Sequence, residues 1–363
     1  MDYIRLVKNG QEQIFRADEL LQDERFSWRY RKMKTRRLGD LYEMAGMDDY
    51  ARRARSCATH LEYGAAPNGE KRLTMGNFCQ LRLCPLCIAR RAKKAAYRLS
   101  RVPDMVEQRH GYKYIFLTLT AENVDGEHLG EALQQLTKAW DRLLHQRPVK
   151  RAVKGYFRSI EITRGDGRKK ADHGYNQHLH AILAVEPGYF WRGSDQYITQ
   201  AEWVRRWQQA LQVDYKTVLD IRATYGKKAK KASRSAAAEA NKYAVKDKDY
   251  IDPSLSDERA VEILVDYTVA LHRRRLTAMG GCFADAAREL NIPVDLEDDD
   301  LVHLDDEEKL RDDVMELIEV YQWNFGVGDY ILASRRVNPL WLEREKLKKQ
   351  QAAAEAAAEA SDN

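Results

Sequence analysis

The stretch YNQHLHAILAV, Tyr175 to Val185, alternates apolar and polar residues and then turns fully apolar. That pattern predicts a strand. Residues two apart on a strand point to one face, so His178 and His180 share a face. Two neutral imidazoles side by side suit a divalent cation. The same spacing also suits two hydrogen-bonded surface histidines. Immediately upstream, GYFRSIEIT, Gly155 to Thr163, predicts a second strand, and the polar, Gly-containing RGDGRKKADHG between the two reads as a turn. In such a hairpin Glu161 lies beside the histidines and adds a carboxylate, leaving positions open for water and phosphate oxygens. An exposed strand glutamate is the alternative.

Further upstream, YKYIFLTLT, Tyr112 to Thr120, is another strand. Leu129, Leu133, Leu136, Trp140 and Leu143 recur at helical spacing after Gly126. Downstream, Thr199 caps a helix holding Trp203 and Trp207, which at that spacing are read as core, and YKTVLDIRAT is a further strand. Short connections between these elements predict an α+β fold with a largely antiparallel, roughly five-stranded sheet flanked by helices.

Two more constellations carry chemistry. In EANKYAVK, Glu239, Tyr243 and Lys246 fall on one face of a predicted helix. A tyrosine becomes a nucleophile when a nearby cation favours its phenolate, and a glutamate can serve as base for water. The other constellation is Cys57, Cys79, Cys84 and Cys87, the last two in C-x₂-C spacing. Four thiolates in a short segment fit a tetrahedral structural zinc site, with His60 as an alternative fourth ligand. Free core cysteines are the competing reading. Cys282 stands apart as a buried thiol.

The chain has 363 residues, with 32% charged and 44% hydrophobic, which suits a globular protein with a real core. Mean hydropathy is −0.66 and no apolar run is long enough to span a bilayer. The first residues lack a signal-peptide core, so a cytoplasmic location is expected, with no membrane partner. Five cysteines, an odd count, argue against a disulfide framework. Net charge is only +5, but it is unevenly spread. Residues 82–101 carry seven cations and no acid, 222–248 carry nine cations against two acids, and 295–313 carry eleven acids against two cations. The basic blocks suggest a polyanion such as DNA, and solvated helix faces are the alternative. The acidic block reads as a docking, self-association or DNA-excluding segment, or simply a solvated loop.

The succession FCQLRLCPLC, FLTLT, SIEIT, HLHAIL and EANKYAVKDKDY resembles the plasmid rolling-circle replication initiators of the HUH endonuclease superfamily, single-tyrosine type. The resemblance covers about half the chain, Cys57 to Tyr250. It implies that His178 and His180 hold Mg²⁺ or Mn²⁺, and the hairpin topology adds Glu161 as the third ligand. It also implies that Tyr243 is the nucleophile, Lys246 its helper, and Glu239 the residue that activates water to end a cycle. Whether Tyr225 or Tyr250 can replace Tyr243 is left open by the sequence. Origin DNA, single-stranded or hairpin-extruded, is the implied partner. A host helicase and polymerase are implied too, since no Walker loop is present, and a homo-oligomer is compatible. Arg90, Arg91, Lys93, Lys94, Lys227, Lys228, Lys230, Lys231 and Arg234 are the expected phosphate contacts. The expected organisation is a helical N-terminal segment (1–50), a zinc segment with a basic helix (51–101), a nuclease core (110–252), a helical region with the acidic block (253–345) and a low-complexity tail (346–363). Competing readings are a transposase or relaxase with the same chemistry, and a zinc-containing DNA-binding repressor without catalysis.

Overall fold

A computed structural model describes residues 3–8, 11–16, 20–21, 26–165, 174–224, 245–293, 300–303 and 312–361. Among them the chain begins with a hairpin, β1 (Tyr3–Lys8) and β2 (Gln11–Arg16), followed by α1 (Trp28–Met44) and α2 (Asp48–Ser56). Next come β3 (His60–Ala65), β4 (Lys71–Gly76) and the long helix α3 (Pro85–His110). Then follow β5 (Lys113–Thr120), α4 (Gly126–His145), α5 (Arg147–Ala152), β6 (Val153–Arg164), β7 (Tyr175–Val185), α6 (Gln200–Leu211) and β8 (Leu219–Thr224). The remainder is α7 (Asp257–Ala270), β9 (Thr277–Gly281), α8 (Cys282–Glu289), β10 (Leu317–Asn324), β11 (Asp329–Val337) and α9 (Pro339–Ser361).

The strands form two larger antiparallel sheets, ordered β8-β5-β7-β6-β9 and β11-β10-β3-β4. The α+β expectation and the five-stranded sheet therefore hold. The stretch between 253 and 345, read from sequence as helical, is corrected: besides α7 and α8 it supplies β9 to the five-stranded sheet and both β10 and β11 to the other. The first 50 residues likewise contain a hairpin before their helix.

Pleating divides the five-stranded sheet into two faces. Leu117, Leu119, Leu179, Ala181 and Leu183 point to one face, where they pack with Leu129, Leu133, Leu136 and Trp140 of α4 and Trp203 and Trp207 of α6. Both α6 tryptophans are fully buried, as expected. Asp125 caps α4 by accepting from the His128 N–H, and Thr199 caps α6 through Glu202 N–H. On the opposite face Tyr114, Phe157, Ile182 and Ala184 pack with Leu99, Val102 and Val106 of α3 and Phe283 of α8. α3 and α8 cover one half of that face. The other half carries Thr118, Glu161, His178 and His180, in the same pleat register.

Candidate active site

Glu161 on β6 stands directly opposite His178 on β7, and Ser159 opposite His180. This register brings the three expected side chains together. The two imidazole rings lie nearly parallel, 15° apart, with centroids 6.1 Å from each other. Glu161 is buried and has one carboxylate oxygen 3.0 Å from His180 Nε2 and the other 3.2 Å from Lys246 Nζ. Thr118 Oγ1 on β5 lies 3.2 Å from His180 Nδ1, so both nitrogens of that ring are engaged. Thr118 was not singled out in the sequence. Its alternation on FLTLT places it on the histidine face, and that signal was available.

Burial works against ionising Glu161, but the hydrogen bonds from His180 and Lys246 outweigh it and hold the carboxyl down to about 2. Burial, and then the neighbouring His180, lower His178, so its imidazole is neutral near pH 7, the form that binds metal. His178 Nδ1 is buried with no hydrogen-bond partner among the described residues. A buried ring nitrogen without a partner is costly, and a cation, water or substrate group would satisfy it. Two imidazoles and a carboxylate on one face are donor types that suit a divalent cation. Their ligand atoms are more widely spread than those of the cysteines, which alone among the described residues form a cluster with all ligand atoms within 4.8 Å.

Lys246 has an extended backbone, φ −95° and ψ 134°, just ahead of a short 3₁₀ turn. Its link to the histidines is the ion pair with Glu161. Asp247, the next residue, pairs with Lys34 of α1 at 2.9 Å. Glu239, Tyr243, Tyr225, Lys227, Lys228, Lys230, Lys231 and Arg234 lie outside the described residues. Tyr250 is fully buried and its hydroxyl donates to the Leu83 carbonyl at 2.6 Å, so it is withdrawn from substrate. Burial also raises its pKa well above the usual tyrosine value.

The cysteines meet as the sequence predicts. Cys57 at the end of α2, Cys79 after β4, and Cys84 and Cys87 at the start of α3 are free thiols, with Sγ···Sγ separations of 3.6 to 3.7 Å for the pairs Cys57/Cys84, Cys57/Cys87 and Cys79/Cys87. Four sulfurs held tetrahedrally about 2.3 Å from one zinc ion lie about 3.8 Å apart. The set can therefore hold a metal such as zinc. Cys79 N–H donates to Cys57 Sγ at 3.4 Å, and Thr35 Oγ1 lies 3.6 Å from Cys84 Sγ. Lys32 of α1 is fully buried beneath the cluster and donates to the carbonyls of Arg55 and Cys57. Burial lowers its pKa to about 8, against the pull of the thiolates. His60 is not a fourth ligand: it sits on β3 with Nε2 3.2 Å from Glu62.

The basic helix requires a correction. Arg90 and Lys94 face inward. Arg90 donates to the carbonyls of Leu301 and Val302, and Lys94 donates to that of Asp300 at 2.7 Å. The described part of the acidic block, Asp300 to His303, thus packs on α3, and two of the expected DNA contacts are consumed by it. Arg91 donates to the carbonyls of Gln80 and Leu81 and stays half-buried, while Lys93 is exposed.

The comparisons with known proteins accord with a nucleic-acid-processing site. A family model described as replication protein matches residues 70–331. A "Protein rep" of Streptococcus pneumoniae is 31% identical over 315 residues, covering 86% of this chain and 93% of the relative. A "Protein rep" of Lentilactobacillus hilgardii is 33% identical over 84% of this chain and 94% of its own length. One of Lactiplantibacillus plantarum is 36% identical over 70% of this chain and 80% of its own. No solved structure matches. The chain belongs to the Rep_1 family of replication proteins, which bears out the resemblance to plasmid rolling-circle initiators. No helix among the described residues is long and apolar enough to cross a membrane.

Proposed function

We propose that this protein initiates rolling-circle plasmid replication by nicking one strand of origin DNA and later rejoining it. The observation that carries the reading is the pairing of Glu161 with His178 across β6 and β7, which sets two imidazoles and a carboxylate on one sheet face with Lys246 at its edge. Family membership supports it. His178, His180 and Glu161 would hold a divalent cation, which would supply Lewis-acid polarisation of the scissile phosphate. Lys246 steadies the Glu161 carboxylate and contributes positive charge where a phosphate enters.

Tyr243, drawn from the motif EANKYAVK, is the proposed nucleophile. Its hydroxyl oxygen attacks phosphorus in line. One P–O bond forms to the tyrosine, and the bond to the 3′-oxygen breaks. The tyrosine hydroxyl gives up its proton, and the 3′-oxygen takes one up and leaves as the hydroxyl that primes a host polymerase. The phosphodiester energy is kept in the 5′-phosphotyrosine, so rejoining is the reverse step and needs no nucleotide. Glu239 is the proposed base for the water that ends a cycle. The cysteine centre serves structure by fixing the start of α3 against α1 and α2. The exposed Lys93, together with Lys227, Lys228, Lys230, Lys231 and Arg234, is proposed to neutralise origin phosphates. A host helicase would supply unwinding in the cytoplasm.

The test is a cleavage assay with labelled single-stranded origin DNA and Mn²⁺, read as a denaturation-resistant protein–DNA adduct. The adduct is expected with the parent protein and absent with Tyr243→Phe. Survival of the adduct in Tyr243→Phe moves the nucleophile elsewhere. Origin binding with no adduct under any condition overturns the nuclease in favour of a repressor.

A further inference from the structure

Helix α1 carries a basic run absent from the blocks singled out above. Arg29, Arg31, Lys32, Lys34, Arg36 and Arg37 occur with no acidic residue between Phe26 and Gly39. Its inner face is spent on packing: Trp28, Lys32, Thr35, Leu38, Leu41 and Tyr42 are buried, and Lys32 and Thr35 touch the cysteine centre. The outer face is unusual. Tyr30 is 61% exposed and Met33 47% exposed. Lys34 holds its ammonium 4.6 Å from the centroid of the Tyr30 ring, which steadies the ring at the exposed surface.

The position of this face gives it a meaning. Lys34 pairs with Asp247, and the residue before it, Lys246, pairs with Glu161 at the candidate nuclease site. Arg37 pairs with Asp257 and Arg29 with Asp329, which hold the cations on either flank of the exposed aromatic. An exposed aromatic beside ordered cations suits a single strand, because successive bases offer free π-faces that a duplex buries in its own stack.

We propose that the outer face of α1 guides single-stranded DNA to the nuclease site, with Tyr30 stacking on a base and Arg29, Lys34 and Arg37 facing the backbone phosphates. That the guided strand is the one to be cut rests on the function proposed above; the binding surface itself does not.

The test uses the full-length protein and a fluorescein-labelled oligothymidylate, read by anisotropy without divalent cation, beside a duplex of equal length. Tyr30→Ala should weaken single-strand binding about fivefold to a hundredfold. Tyr30→Phe, which keeps the ring, should stay within about twofold of the parent. Duplex affinity should not change with either variant. Arg29→Ala should lower the slope of log affinity against log salt by about one. Because Tyr30 is exposed, the melting temperature of each Tyr30 variant should match the parent, and a Tyr30 variant that melts lower is replaced by Tyr30→Gln for the same comparison. Unchanged single-strand affinity in Tyr30→Ala overturns the proposal, as does equal loss for single strand and duplex, or a parent that does not bind the oligothymidylate. The probe needs no cleavage, so absence of the tyrosine adduct on origin DNA would sink the nuclease while leaving this surface intact.

Discussion

Zinc affinity of the cysteine centre should fall steeply with acidity, and the structure sets the slope. Burial raises Cys57 and Cys87 well above the usual thiol range, so the metal-free protein holds both as thiols near neutral pH. Cys84 behaves oppositely: burial disfavours its charge, but hydrogen bonds from Cys57, Cys79 and Cys87 outweigh that and hold it low as a thiolate. Metal binding requires thiolates and so expels at least the two protons on Cys57 and Cys87. Each unit fall in pH should weaken zinc binding about a hundredfold, or about 2.7 kcal/mol. Competition with a chromogenic chelator at about pH 7.5 and about pH 6.5, corrected for the chelator's own protonation, measures this directly. Cys87→Ser should cut the slope by about one proton as well as lowering affinity. A slope of one or less in the parent, or a folded chain that takes up no metal, would refute the reasoning. The stakes are large, because structural zinc contributes about 10–16 kcal/mol in small zinc modules, comparable with the whole stability of a domain.

Glu161→Gln keeps the side-chain shape but removes the charge that His180 and Lys246 share, so nicking in Mn²⁺ should fall by more than the roughly 10–100-fold expected for Lys246→Ala. The same carboxyl is held at about 2 against an ordinary 4.5, so its contribution to stability is complete above the ordinary value and is lost as pH falls toward the lower one. It amounts to at most about 3 kcal/mol, and urea midpoints measured in acid should be flatter in Glu161→Gln. Arg90→Ala should cost about 2–4 kcal/mol of stability because it strips two buried carbonyls of their charged donor, whereas Lys93→Ala should leave stability alone and lower the salt slope of DNA binding by about one. Similar behaviour of the two variants would mean that α3 is not braced by residues 300–303. Gly155→Ala would press a Cβ to 2.6 Å from Cys282 Sγ and 2.7 Å from Cys282 N, costing about 1–3 kcal/mol in a urea melt, and wild-type stability there would contradict the β6–β9 pairing.

The legible parts of this molecule are those whose signal is local. Tyr175 to Val185 is a strand with the bounds its alternation gives, and the C-x₂-C pair with Cys57 and Cys79 converges as spacing alone suggests. Glu161 beside the histidines needed only a hairpin register. What escaped was set at long range. Thr277 to Gly281 is TAMGG, a strand only because β6 offers an edge to pair with. Leu317 to Asn324 pairs with β3 from the far end of the sequence, and nothing local announces that partner between an acidic block and an alanine-rich tail. Arg90 and Lys94 read as an open basic face because nothing near them in sequence announces that Asp300 to His303 will cover them.

The four-stranded sheet has a consequence for the timing of synthesis. Its strand β10 inserts between β3 and β11, yet β4 ends at Gly76 and β10 begins at Leu317. At about 5–20 residues per second a ribosome needs roughly 10–50 s to cross that interval. For most of it the nascent chain holds the four clustered cysteines but leaves the edge of β3 unpaired. The β9 strand, which closes the other sheet, also emerges late. A chain cut short before Leu317 therefore has His178 and His180 but lacks the strand that completes the sheet beside the cysteine cluster, so premature termination yields a product that cannot close that half.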